Sequence, residues 1–124
     1  MKKNTVFISL FLMLNTSIFA AVKPAALFCE HMVLQRGVEI PVWGKAWPKE
    51  SVSVSLNGKT VTVKADADGN WMAKLPGQKA GGPYVLEISG DNVITYKDVY
   101  VGEVWLCSGQ SNMDMTVAKE DRYW

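Results

Sequence analysis

Two six-residue runs, Ser51-Val52-Ser53-Val54-Ser55-Leu56 and Lys59-Thr60-Val61-Thr62-Val63-Lys64, flank the pair Asn57-Gly58. Side chains alternate between the faces of a strand, so Val52, Val54 and Leu56 share one face and Val61 and Val63 supply that of the partner. Asn-Gly tolerates positive φ at both central positions of a type I′ turn, whose twist matches the strands it joins. These residues therefore predict a β-hairpin. An isolated hairpin is at best marginal in water, so the rest of the chain must build a sheet around this one.

The neighbouring sequence offers the material. Ala25-Ala26-Leu27-Phe28-Cys29 and Met32-Val33-Leu34, separated by Glu30-His31, read as a bent edge strand. Val38-Glu39-Ile40-Pro41-Val42-Trp43-Gly44 reads as an edge or bulged strand, because Pro41 cannot donate to a ladder. Ala46-Trp47-Pro48-Lys49-Glu50 is the turn after it. Trp43 is expected in the core, whereas Trp47, in a loop, is the better placed of the two to meet a sugar ring. Asp66-Ala67-Asp68-Gly69-Asn70 alternates oxygen ligands like the opening of an EF-hand, but Gly69 falls at loop position four instead of six. The segment reads as a tight Asp-Gly turn leading into the strand Trp71-Met72-Ala73-Lys74-Leu75.

Gln78-Lys79-Ala80-Gly81-Gly82-Pro83 reads as a flexible connection. Tyr84-Val85-Leu86-Glu87-Ile88 and the run from Val93 to Val101, joined through Gly90-Asp91-Asn92, are the last scaffold strands, and Gly102 marks a boundary. Lysines such as Lys59, Lys64, Lys74 and Lys97 stand among the apolar residues of the strand runs, as on the solvated face of half-buried strands. With no helical periodicity before Asn112, residues 21–102 are expected to be mainly β, a β-sandwich or jelly-roll-like scaffold of about seven short strands.

At the amino end, Met1-Lys2-Lys3 is a short positive region and the run from Val6 to Leu14 is apolar. Ser17-Ile18-Phe19-Ala20 is a small-residue cleavage end. Residues 1–20 are expected to be a secretory signal peptide cut near Ala20, because Asn15, Thr16 and Ser17 break a stretch too short to span a bilayer. No cysteine follows the cut closely enough for a lipid anchor. The mature chain is then periplasmic or secreted, with no membrane association. Its formal charge of +1 falls to −1 when Lys2 and Lys3 leave, and neither value favours nucleic acid as a partner.

Cys29 and Cys107 would meet an oxidising compartment, but connectivity cannot be set without distances, and the apolar context suggests two separate buried thiols. Val104-Trp105-Leu106-Cys107 reads as a buried strand, which would leave Cys107 inert as a nucleophile.

That apolar run stops at Ser108-Gly109-Gln110-Ser111-Asn112-Met113. A serine at a sharp strand-to-helix junction presents its hydroxyl and unsatisfied backbone N–H groups outward, the arrangement that holds a developing oxyanion in acyl transfer. Ser111-Asn112-Met113-Asp114 also fits a capping box, so Ser111 is equally readable as a helix cap. Met113 excludes the Gly-x-Ser-x-Gly elbow. His31, the only histidine, lies about 80 residues upstream in the scaffold and is a poor candidate for a base acting on Ser111.

The stretch from Glu103 through Met113, which includes Gly109, Gln110, Ser111 and Asn112, resembles the first sequence block of the sialate O-acetylesterase family, a branch of the SGNH hydrolases. His31-Met32-Val33-Leu34-Gln35-Arg36 and Pro41-Val42-Trp43-Gly44 resemble the amino-terminal scaffold of that family. The resemblance implies that Ser111 is the nucleophile and that its backbone N–H is one oxyanion donor. It implies no metal and no cofactor, and a substrate that is an O-acetylated sialic acid or sialoglycan. Gln110 stands where the wider superfamily usually has Asp, in keeping with the narrower branch.

The later family elements, a Gly, an Asn and an Asp-x-x-His, are not found in this sequence. On this reading residues 103–124 are the first strand and helix start of a truncated α/β/α hydrolase domain, fraying at Met113, Met115 and Trp124. The chain alone is expected to be inactive. Two other readings stay open: a non-catalytic secreted β-sandwich that binds glycans or links domains, and an acetylxylan esterase of related SGNH type.

Overall fold

The computed structural model describes residues 21–109. Eight strands follow one another: β1 (Lys23–Pro24), β2 (Val33–Gln35), β3 (Ile40–Lys45), β4 (Ser51–Leu56), β5 (Lys59–Lys64), β6 (Asn70–Leu75), β7 (Gly81–Ser89) and β8 (Val93–Gly102). No helix occurs among the described residues, and the chain is mainly β. Three strands form one sheet in the order β1-β3-β6, and five form another in the order β2-β8-β7-β4-β5.

The hairpin sits at one edge of the larger sheet. β4 and β5 pair antiparallel from Ser51 opposite Lys64 to Leu56 opposite Lys59. Asn57 and Gly58 adopt φ of 47° and 73°, as a type I′ turn requires. Val52, Val54 and Leu56 are fully buried. The alternation has the expected physical consequence. Inward residues of β4, Leu86 and Ile88 of β7, and Val99 and Val101 of β8 belong to one buried cluster with Ile40 and Val42 of β3 and Trp71, Ala73 and Leu75 of β6. Both sheets thus contribute one face to a shared apolar core.

Three expectations about strand pairing and bounds need correction. The bent edge strand is two strands on different sheets: β1 pairs with β3, whereas β2 pairs in parallel with β8. Residues 25–29 are the crossing between them, with only Phe28 buried. Second, β3 is central, lying between β1 and β6. It tolerates Pro41 because β1 reaches only Gly44 and Lys45, leaving β3 an edge on that side at Pro41. Gly44 is what permits the approach: a Cβ there would sit 2.7 Å from the Pro24 Cα. Third, Gly81, Gly82 and Pro83 belong to β7, where register shifts lie between Gly81 and Leu86, so the connection is shorter than expected.

Trp43 is half-buried instead of core, its ring meeting Phe28 edge-on at 5.0 Å between centroids. Trp47 is half-buried too, and its backbone N–H donates to Glu50 Oε2 at 2.8 Å. Asp66 closes its turn: Oδ1 accepts from the backbone N–H groups of Asn70 at 2.8 Å and Asp68 at 2.9 Å. Those bonds, led by the one from Asn70, hold the Asp66 carboxyl below its ordinary range.

Candidate functional site

Residues 31–36 and 103–113 lie almost seventy positions apart, and the sheet brings the start of the second beside the end of the first. β2 runs parallel to β8, with Val33 opposite Tyr100, Leu34 opposite Val101 and Gln35 opposite Gly102. The ladder extends one bond past each end: Tyr100 N–H donates to the Met32 carbonyl at 3.0 Å, and Arg36 N–H donates to the Gly102 carbonyl at 2.9 Å. This register delivers two polar side chains to the point where β8 ends.

There they meet Glu103 and Val104. Gln35 Oε1 accepts the Val104 backbone N–H at 2.8 Å, and Gln35 Nε2 donates to Glu103 Oε2 at 3.1 Å and to the Arg36 carbonyl at 3.3 Å. Arg36 Nε donates to Glu103 Oε1. Each carboxylate oxygen therefore has its own donor. The Gln35 bond first, and then that of Arg36, holds the Glu103 carboxyl below the usual carboxylate range, so it stays ionised at neutral pH. Arg36 and Glu103 are about half exposed, so solvent screens the ion pair and its worth lies in geometry more than in stability.

Two depressions flank this point. An open cleft of about 660 Å³ is lined by Arg36, Val38, Gln78, Lys79 and Glu103. An apolar groove of about 370 Å³ is lined by Phe28, Met32, Leu34, Ile40, Trp43 and Val104. The chain thus leaves β8 with Glu103 on a cleft that carries the charged groups of Arg36 and Lys79, and Val104 on an apolar groove.

Beyond Glu103 the expected buried strand is not formed. Residues 103–109 pair with no strand among the described residues, and Trp105 and Leu106 are 81% and 96% exposed. A run of consecutive apolar residues can be buried only with cover on both faces; Val104 meets the apolar groove, but no described element covers Trp105 or Leu106. Cys107 is accordingly exposed, and so is Cys29; both thiols are free. Burial therefore does not shield the Cys107 thiol, contrary to the expectation of an inert buried cysteine.

Gly109 ends the described residues, exposed and with φ of 154°. Gln110, Ser111, Asn112 and Met113, and with them the candidate nucleophile and the fraying expected at Met115 and Trp124, lie outside the described residues. His31 stands in an exposed pair, its Nδ1 3.4 Å from Asp98 Oδ2, and its backbone N–H donates to the Lys97 carbonyl at 3.2 Å. In the sequence, Gln35, Arg36 and Glu103 stand out only as parts of the resembling blocks. Nothing in a linear sequence links positions 67 to 69 residues apart, and only the parallel register of β2 on β8 does so.

No family model matches the chain. Among solved structures, it is similar to a carbohydrate acetylesterase from Xanthomonas citri, at 47% identity and a TM-score of 0.72 over 75% of this chain and 22% of that one. Among curated proteins it is similar to the sialate O-acetylesterases of Homo sapiens, 37% identical over 75% of this chain, and of Mus musculus, 37% identical over 77%. The fold and these likenesses group the chain with the carbohydrate acetylesterases. More narrowly, it belongs to the sialate O-acetylesterase family. It spans about a fifth of the length of the curated relatives it matches, 20% in both the human and the mouse protein.

Proposed function

We propose that this chain is the scaffold and nucleophile-bearing portion of an exported carbohydrate acetylesterase, acting on O-acetyl groups of sialic acids. The observation that carries the proposal is the junction of the two resembling blocks: Gln35 and Arg36 grip Glu103 and Val104 where the run toward Ser111 begins. Residues 1–20 serve as a cleavable signal, residues 21–102 as the scaffold, and residues 103–124 as the opening of the hydrolase domain. Export, the domain division and the role of Ser111 rest on sequence pattern and family membership.

In this reading the Ser111 hydroxyl attacks the acetyl carbonyl, and its proton passes to a histidine oriented by an aspartate, both from later sequence. The oxyanion of the tetrahedral intermediate is held by backbone N–H groups, that of Ser111 among them. Collapse releases the sugar hydroxyl, protonated by the same histidine. Water then attacks the acetyl-enzyme and frees acetate and the serine. His31 pairs with Asp98 at the scaffold surface, about 80 residues before Ser111, and on this reading the base comes from later sequence instead.

A nucleophile without its base retains only binding and oxyanion terms, so the 124-residue chain is expected to show no serine-dependent turnover. Hydrolysis of an aryl acetate by the chain and by its Ser111→Ala variant tests this, and a large rate lost in the variant would refute it. For a protein that continues into the Asp-x-x-His block, acetate release should favour O-acetylated sialic acid over acetylated xylan and vanish in Ser111→Ala. Preference for xylan would reassign the substrate. Glycan binding that survives Ser111→Ala, without any hydrolysis, would favour a binding module instead.

A further inference from the structure

We propose that Gln35, Arg36 and Glu103 form a clamp that fixes the direction in which the polypeptide leaves β8 toward Ser111, which makes all three positioning residues for the esterase site. The proposal deepens the reading of Ser111 as nucleophile and rests on it. Among the described residues, no backbone-to-backbone hydrogen bond holds residues 103–109, since the β8 ladder ends at Gly102. Besides the seat of Val104 on the apolar groove, the polar contacts here are side-chain bonds, and each crosses from the end of β2: Gln35 to the Val104 N–H, Gln35 to Glu103, and Arg36 to Glu103.

The geometry suits a clamp. Gln35 faces Gly102 in register, so its amide reaches forward over Glu103 and Val104 and holds one by its side chain and the other by its main chain. Arg36 is anchored before it reaches out, because its own N–H is bonded to the Gly102 carbonyl at 2.9 Å. Two donors on two carboxylate oxygens fix both the position and the rotation of Glu103, which a single contact would not do. The requirement comes from chemistry, because displacing a reacting group by about 1 Å can cost about a hundredfold in rate. A free exit would let the whole segment swing.

The native cysteines provide the test, since Cys29 sits on the scaffold and Cys107 on the exit segment, both exposed and free. Nitroxide labels on the two thiols of the full chain report the distance between them by pulsed electron spin resonance. The wild-type chain should give one narrow distribution. Glu103→Ala and Gln35→Ala should each broaden it at least twofold while the thermal midpoint stays within a few degrees, and Glu103→Gln, which keeps one acceptor, should fall between. Lys74→Ala, which breaks a surface ion pair with Glu39 of 3.7 Å, should leave the distribution as it is.

A wild-type distribution already as broad as that of Glu103→Ala would overturn the clamp, as would equal broadening by Lys74→Ala. Should Glu103→Ala lose its thermal transition, Gln35→Ala, which removes no charge, carries the same expectation. Because the distance is read without turnover, a failed clamp shows in the spin measurement and a failed nucleophile shows in acetate release.

Discussion

Trp71 and Trp105 sit in runs of similar apolar character and have opposite fates. Trp71 opens Trp71-Met72-Ala73-Lys74-Leu75 and is 3% exposed, whereas Trp105, within Val104-Trp105-Leu106-Cys107, is 81% exposed. The first run alternates, so pairing with β3 and packing from one side bury Trp71, Ala73 and Leu75 while Met72 and Lys74 face water. The second is continuous, so it would need a layer on each side. Apolar composition states a demand for burial, and strand partners decide whether it is met.

The sharpest way to break this contrast is to damage the covered region. Leu86→Ala, at a site with no exposure, should cost about 2–5 kcal/mol, read as a lower urea midpoint; a loss under about 1 kcal/mol would mean that the shared core is loosely packed. Next in size is Gly44→Val, whose side chain must displace β1 from β3. Its expected cost is about 1–3 kcal/mol, with amide exchange accelerated first at Lys23 and Ala25, and unchanged exchange there would show that the β1 pairing does not depend on Gly44.

At the junction between the two regions the expected effects are smaller. Because Glu103 is held below its ordinary range, its contribution is fully present above the pKa of the unfolded chain and is lost as pH falls through the lower folded value. Carbon-detected NMR titration of its carboxyl should find a midpoint below that of a free glutamate side chain. A midpoint at or above it would remove the charge-assisted part of the contact with Gln35 and Arg36. Smallest of all should be Leu106→Ser, at a side chain 96% exposed: stability within about 0.5 kcal/mol of wild type, with reduced self-association in light scattering. A clear loss of stability there would mean that the exit segment is covered in solution after all.

Much of the scaffold was legible because its signals are local. Asn57-Gly58 dictates its turn, and the alternation of Val52, Val54 and Leu56 dictates a buried face, whatever lies elsewhere. Pro41 misled in part, since proline excludes a ladder donor without saying on which side or over what length the neighbouring strand runs. Cys107 and Trp105 mislead for the converse reason: their apolar run calls for burial, and a linear sequence does not show what would cover it. The junction of Gln35 and Arg36 with Glu103 was illegible, because it depends on the parallel register of two strands whose sequences carry no mark of each other.

By itself, then, the sequence determined the hairpin, the inward and outward faces, and the family to which Ser111 and its neighbours point, since all three reside in short runs of residues. The tertiary structure alone decided which sheet each edge strand joins, which apolar run finds cover, and that the end of β2 holds the start of the run toward Ser111. Those outcomes come from contacts between positions far apart in the chain, whose energy is realised only once both partners are held in place.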